Sequence, residues 1–423
     1  MSRTLKATER TPGSRSRWIM LLGTLGPAFV ASVAYVDPGN VAANLTAGAR
    51  YSYLLVWVLV IANAMAMLIQ YQSAKLGVVT GRTMPEILGQ RLGRTARRLY
   101  WAQAEVVALA TDLAEVVGGA LALHLLFQVP LPLGAVIIGA VSMAILAIQD
   151  FRTQQRFELA IVGLLAVITI GFLTGLAMSP PAPARVLGGL VPQFDGPDSI
   201  LLAASMLGAT VMPHAIYVHS ALARDRHRSD PDEHFGAPAI LRLLRSTRVD
   251  VVVALGVAGV VNIGMLLLAA STLAGAEGTD TIEGAHASIQ SALGPAVGAI
   301  FAVGLLASGL ASTAVGAYAG ATIMEGLLER RIPLVLRRSI TLIPSIVVLA
   351  LGVDPTWSLV VSQVVLSFGI PFALIPLIRL GSTKSVVGDH VMRLPLAIAS
   401  WISAALVVAL NMVLLWLTFA AGS

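Results

Sequence analysis

Apolar stretches long enough to cross a lipid bilayer fill this chain of 423 residues and leave it few ways to fold. Eleven are visible, near 18–48, 52–75, 99–127, 131–149, 157–179, 198–223, 249–274, 288–324, 338–353, 356–378 and 394–420. A helix needs about 20 mostly apolar residues to cross the hydrocarbon core. No water is present there to satisfy a bare N–H or C=O, so such stretches span as helices. Turn residues separate them, at Val129-Pro130-Leu131-Pro132, Pro180-Pro181-Ala182-Pro183 and Asp354-Pro355. Only 12% of residues are charged, about half the usual quarter. A surface facing lipid tolerates that deficit and a surface facing water does not. The expected fold is therefore an all-α integral membrane protein.

Positive charge tests the number of spans. With the N-terminus in the cytoplasm, the inner segments hold 26 of the 28 Lys and Arg residues, and the outer ones only Arg50 and Arg185. Short inner loops are enriched in these residues, and one missed or invented span would scramble the alternation. The N-terminus is thus expected inside and, after an odd count, the C-terminus outside. Residues 1–17, with Arg3, Lys6, Arg10, Arg15 and Arg17, read as a cytoplasmic basic tail, and 18–423 as a single transmembrane domain. The apolar run from Trp18 is far longer than the ~7–15 residues of a cleavable signal core, and no A-x-A site ends it. One long polar insertion, 224–248, holds a short predicted helix at Ala239–Arg245. The net charge of +6 marks orientation; no inner loop interleaves aromatics with its arginines, so nucleic acid is not an expected partner. The absence of cysteine excludes disulfides, iron–sulfur clusters and thiolate metal sites.

Two spans are interrupted. In the first the break is Asp37-Pro38-Gly39-Asn40, and in the sixth it is Met212-Pro213-His214. The first span enters from the cytoplasm and the sixth from outside. Breaks at corresponding positions in halves of opposite topology point to an inverted repeat, spans 1–5 and 6–10, with an eleventh span added and a binding site at the breaks. A proline has no N–H for the carbonyl four residues back and pushes that carbonyl aside. Pro38 thereby frees the carbonyl of Ala34, and Pro213 that of Ala209. Asp37 and Asn40 stand beside the first and Met212 beside the second. A carboxylate, an amide oxygen, two backbone oxygens and a thioether suit a cation, and an ionisable group at mid-membrane is functional by default.

This pair of motifs resembles the signature of the Nramp family of divalent metal transporters. Gly26-Pro27-Ala28, Ala110-Thr111-Asp112-Leu113-Ala114-Glu115 in span 3 and Ser362-Gln363-Val364-Val365-Leu366-Ser367 in span 10 agree with it. The resemblance covers nearly the whole chain. It implies a LeuT-like fold in the plasma (inner) membrane and uptake of Mn²⁺ and Fe²⁺ coupled to H⁺, with no resident cofactor and no obligate protein partner. It assigns metal contacts to Asp37, Asn40, Met212 and the carbonyls of Ala34 and Ala209, with Gln363 joining in some conformations. Proton handling falls to Asp37, Asp112, Glu115 and His214. An arginine pair on the exit route matches Arg337 and Arg338, which sequence alone equally reads as an ordinary cytoplasmic flank.

The span-3 acids also stand on their own chemistry. Glu105, Asp112 and Glu115 are spaced seven and three apart, hence on one helical face. Such a face lines a polar path rather than lipid, with Glu105 expected as a solvated residue at the inner mouth. Asn262 reads as interhelical glue, and Gly171/Gly175 and Gly316/Gly320 as close helix packing. The outer loop 275–287, with Glu277, Asp280, Glu283 and His286, reads as a solvated loop that could concentrate cations. Rival readings are a same-fold carrier of Mg²⁺ or a small organic cation, a passive metal channel, and a membrane enzyme. Met212 argues against Mg²⁺, which prefers oxygen ligands. Neither an H-E-x-x-H motif nor a P-loop is present, which argues against the enzyme.

Overall fold

Prolines, glycines and side-chain caps set the helix limits in a computed structural model that describes residues 26–151, 154–227, 236–276, 278–330 and 332–421. The basic tail 1–17, residues 18–25 and Glu277 lie outside the described residues. Every predicted stretch holds a helix or a pair of half-helices. Span 1 is Pro27–Val33 and Pro38–Tyr51, joined by the 3-10 turn Ala34–Val36. Spans 2 to 5 are Val56–Thr80, Arg94–Phe127, Leu131–Phe151 and Gln154–Met178. Span 6 is Gly196–Thr210 and Pro213–His227. Spans 7 to 11 are Ala237–Thr272, Pro295–Leu328, Leu334–Ala350, Pro355–Gly381 and Leu394–Ala421. Among the described residues, eight helices are long and apolar enough to cross a membrane. No strand occurs among them. Both broken helices fall at the first position of a five-span half, as the inverted repeat requires.

Several elements differ from expectation. The stretch 288–324 is two helices, Ile282–Leu293 and Pro295–Leu328. Gly294 stands between them at φ 96°, a conformation open to glycine, and Pro295 starts the next helix with its φ already set. The outer loop is consequently partly helical, with the Thr281 side chain capping Gly284. The predicted Ala239–Arg245 helix is the first turns of span 7, Ala237–Thr272, because no proline follows Pro238 within it. A short helix at Met84–Arg91 was unforeseen, although Thr83 and Glu86 form a reciprocal capping box there, a pattern written in the sequence as T-x-x-E.

Helix breaks inside the bundle leave carbonyls that need donors. Around the first break the spans behind it supply them. Asn262 of span 7 donates to the Tyr35 carbonyl at 2.7 Å, Ser308 of span 8 to that of Val36 at 2.6 Å, and Ser312 to that of Val33 at 3.4 Å. Asn44 donates to Asn262 Oδ1 at 2.9 Å, so this one amide ties both halves of span 1 to span 7. Among the described residues, no side chain donates to the Ala34 carbonyl lying among those three. On the opposite side the Pro38 ring lies against Gly118, which brings the break onto span 3 one turn from Glu115.

Candidate metal-binding site

Asp37 leaves the 3-10 turn in an extended conformation and caps the second half of span 1. Its Oδ1 accepts the Asn40 backbone N–H at 2.8 Å and the Asn40 side-chain amide at 2.7 Å. The same amide donates to the Ala209 carbonyl at 3.0 Å, joining the two breaks. Asn40 Nδ2 therefore sits between two oxygens, where a cation would be equally well received, while Asn40 Oδ1 has no partner. A half-turn of the amide presents that oxygen to the same point. Asp37, Asn40, Ala34, Ala209 and Met212 are all 1% exposed or less. Gln363 of span 10 is half-buried, and its amide lies against Gly39, where a Cβ would collide with it. Among the described residues, no three His, Asp or Glu side chains converge as a metal cage. The set at the breaks instead mixes one carboxylate with amide, carbonyl and thioether donors.

The acids of span 3 continue from this point toward the predicted inner side. Glu115 is fully buried, and among the described residues neither carboxyl oxygen has a partner. Asp112 accepts from Arg338 Nη1, whose guanidinium also donates to Ser142 Oγ at 3.2 Å. Glu105 accepts from Arg337 at 2.5 Å. Arg337 and Arg338 are 4% and 0% exposed, so the reading of this pair as an ordinary solvated flank is wrong. Each guanidinium is drawn into the bundle by a span-3 carboxylate that would otherwise be buried unpaired. Glu105 is likewise a paired, largely buried residue rather than a free one at the mouth. His214 is buried, with both ring nitrogens unpartnered among the described residues. A further buried chain escaped the sequence reading: His219 Nδ1 meets Gln70 Oε1 at 2.7 Å, and Gln70 donates to the Tyr35 hydroxyl at 2.7 Å. Gln70 within an apolar span was the available signal.

Two cavities flank the breaks. One of about 340 Å³ opens on the predicted outer side, passes Arg50, Asp280 and Thr46, and ends on Gly39 and Gln363. The other, about 560 Å³ on the predicted inner side, is lined by Glu86, Arg224, Asp225, Tyr318 and Arg337 and by no residue of either break. Within that lining, Arg224 pairs with Glu86 at 2.5 Å and with Asp225 at 2.6 Å, and Tyr318 donates to Asp225 at 2.9 Å. Asp250 of span 7 accepts the backbone N–H groups of Gly26 and Ala28 at 3.2 and 3.0 Å, fixing the start of span 1. Of these two cavities, only the outer one is lined by a residue of a break, Gly39.

The family model described as natural resistance-associated macrophage protein-like, Nramp, matches residues 28–417. The chain is 54% identical over 412 residues to the divalent metal cation transporter MntH of Mycobacterium tuberculosis, covering 97% of this chain and 94% of that one. It is 44% identical over 401 residues to MntH of Bacillus subtilis, covering 94% and 93%. Among solved structures, it is similar to the manganese transporter of Eremococcus coleocola, with a TM-score of 0.86 at 29% identity over 96% of this chain and 89% of that one. MhsT in complex with L-phenylalanine shares the fold alone, with a TM-score of 0.60 at 14% identity, covering 93% and 98%. The LeuT-like architecture that the resemblance implies is the architecture of this chain. The chain belongs to the Nramp family.

Proposed function

We propose that this chain is a secondary transporter importing divalent transition-metal ions, Mn²⁺ and Fe²⁺, into the cytoplasm with protons by alternating access. The observation that carries this reading is the Asn40 amide held between Asp37 Oδ1 and the Ala209 carbonyl. It places the carboxylate of one break and a freed carbonyl of the other around one point. Met212 and the Ala34 carbonyl complete the set, and Gln363 approaches over Gly39 from the outer cavity. In this reading the N-terminus is cytoplasmic, the C-terminus lies outside, residues 18–423 form one transporter domain of eleven spans, and the membrane is the plasma (inner) membrane. No enzymatic step is involved.

The ion enters by the outer cavity, exchanges water for these ligands and leaves once the Arg224 contacts and the start of span 1 release. The outer cavity is lined by Gly39 of the first break and the inner one by no residue of either break, which supports alternating access over a continuous pore. The second charge carrier is the proton. Asp37 must lose its proton to hold the metal, and Glu115, with both carboxyl oxygens unpartnered among the described residues, stands ready to take it. Asp112, paired with Arg338 through one oxygen only, leaves the other to continue the path. His214 and Arg337 lie along the same route. Simultaneous recording of Mn²⁺ influx and internal acidification in proteoliposomes tests this reading. Both fluxes are expected in the wild type, and Glu115→Gln is expected to depress proton movement while Mn²⁺ binding persists. Mn²⁺ flux indifferent to an imposed pH gradient would replace the symporter by a passive channel.

A further inference from the structure

Span 8 turns Gly309, Gly316 and Gly320 toward one side, at spacings of seven and four that share a helical face. Their neighbours differ. A Cβ on Gly309 would meet the Gly119 backbone at 2.7 Å, the close helix contact expected of small residues. A Cβ on Gly316 would have as its nearest neighbours Glu115 Oε2 at 2.9 Å, Oε1 at 3.4 Å and Cδ at 3.5 Å. A Cβ on Gly320 would collide with the Arg337 guanidinium. Gly316 and Gly320 thus border two buried charged side chains, which corrects their reading as plain helix packing. Gly171 and Gly175 keep that reading, against Gly304 and Leu268. Glu115 is 0% exposed, aimed at this surface, and among the described residues has no partner on either oxygen. The Arg337 Nε likewise has none. Buried polar groups are normally partnered, and here the missing Cβ atoms leave room that the two side chains themselves fill.

We propose that Gly316 and Gly320 are positioning residues for proton transfer: together they form a notch in span 8 that seats the Glu115 carboxyl and the Arg337 guanidinium one helical turn apart. The inference rests on the proposed proton-coupled function. The charged groups acting on Glu115 are Asp112 on its own helix, Asp37 on span 1 and Arg338 on span 9, and none of them faces Gly316 as closely. A methyl group at Gly316 meets the movable end of a side chain, so the helix stays in place and the carboxyl swings out of line.

The test uses the full chain in liposomes, with Mn²⁺ influx and acidification recorded together and Mn²⁺ binding measured separately. Gly316→Ala is expected to lower the rate of proton movement during Mn²⁺ influx by up to roughly a hundredfold, the loss that about 1 Å of misplacement can bring, with Mn²⁺ binding unchanged. Adding Glu115→Asp, one methylene shorter, is expected to relieve the crowding, so that the double variant moves protons faster than either single one. Full proton flux in Glu115→Gln would overturn the functional reading beneath the inference. Loss in Glu115→Gln with wild-type coupling in Gly316→Ala would overturn the inference itself, as would a Gly316→Ala defect that Glu115→Asp leaves untouched. Should Gly316→Ala fail to insert, the same methyl in a Glu115→Ala background is expected to insert and bind Mn²⁺. Failure there too would return Gly316 to helix packing and overturn the proposal.

Discussion

Replacing Arg338 by methionine removes the guanidinium that pairs with Asp112 while roughly keeping the length of the side chain. The two partners are 0% and 6% exposed at their side chains, so Asp112 would be left as a buried carboxylate with no cation in contact. Breaking one side of a buried ion pair costs about 3–5 kcal/mol, or roughly two to three and a half orders of magnitude in the folded-to-unfolded ratio. The lost bond to Ser142 is a second-order term of about 1 kcal/mol. Glu105→Gln, at the more exposed pair with Arg337, is expected to cost less, about 1–3 kcal/mol. Removing both charges with Arg338→Met and Asp112→Asn abolishes the unpaired charge and is expected to restore most of the stability. It should not restore proton flux, because the titratable group is gone. The half-life of the folded protein at fixed temperature in detergent, read by monodisperse elution, measures the first effect; acidification in liposomes measures the second. An Arg338→Met protein as long-lived as the wild type, or a double variant no longer-lived than the single one, would refute the assignment of this pair as a buried, mutually dependent one.

Met212→Ala exchanges a soft thioether for space that water fills, so uptake is expected to fall modestly for Mn²⁺ and more for Cd²⁺, while Ca²⁺ or Mg²⁺ begins to compete. Unchanged rejection of Ca²⁺ in a competition assay would remove Met212 from the filter. Gly39→Ala puts a methyl group where the Gln363 amide lies and is expected to slow Mn²⁺ uptake while leaving detergent stability near wild type; a wild-type uptake rate would show that Gln363 need not close over the break. Asn262→Leu strands the Tyr35 carbonyl and the Asn44 amide, at about 1–3 kcal/mol for each group left unpaired, and a shortened half-life in detergent checks it.

Much of this was legible in the residues, for definable reasons. Spans are readable because lipid allows only long apolar helices, and the breaks because proline at Pro38 and Pro213 removes a donor wherever the chain goes. The site followed from those breaks, since the residues beside a freed carbonyl are its neighbours in space. What stayed hidden was long-range pairing. Arg337 and Arg338 look in sequence like any basic inner flank, and only the packing of span 9 against span 3 turns them inward to Glu105 and Asp112. Gly316 and Gly320 carry the same spacing as Gly171 and Gly175, and only the partner helix decides whether a backbone or a carboxyl fills the gap. The Tyr35–Gln70–His219 chain joins spans 1, 2 and 6 and has no local pattern. Gly294 and Thr83 are different: their turn and cap were written in the sequence, in the G-P pair and the T-x-x-E pattern, and went unread beneath the stronger apolar signal.

The central claim is that Asp37 supplies the charge that holds a divalent metal ion between the two breaks. Equilibrium Mn²⁺ binding to Asp37→Asn in detergent, beside the wild type, tests it most directly, because the change keeps the shape and one oxygen and removes only the charge. The account predicts a folded, monodisperse variant whose Mn²⁺ affinity is weaker by roughly a hundredfold or more, about 2.7 kcal/mol. Wild-type affinity in that variant would contradict the account and move the metal elsewhere in the molecule.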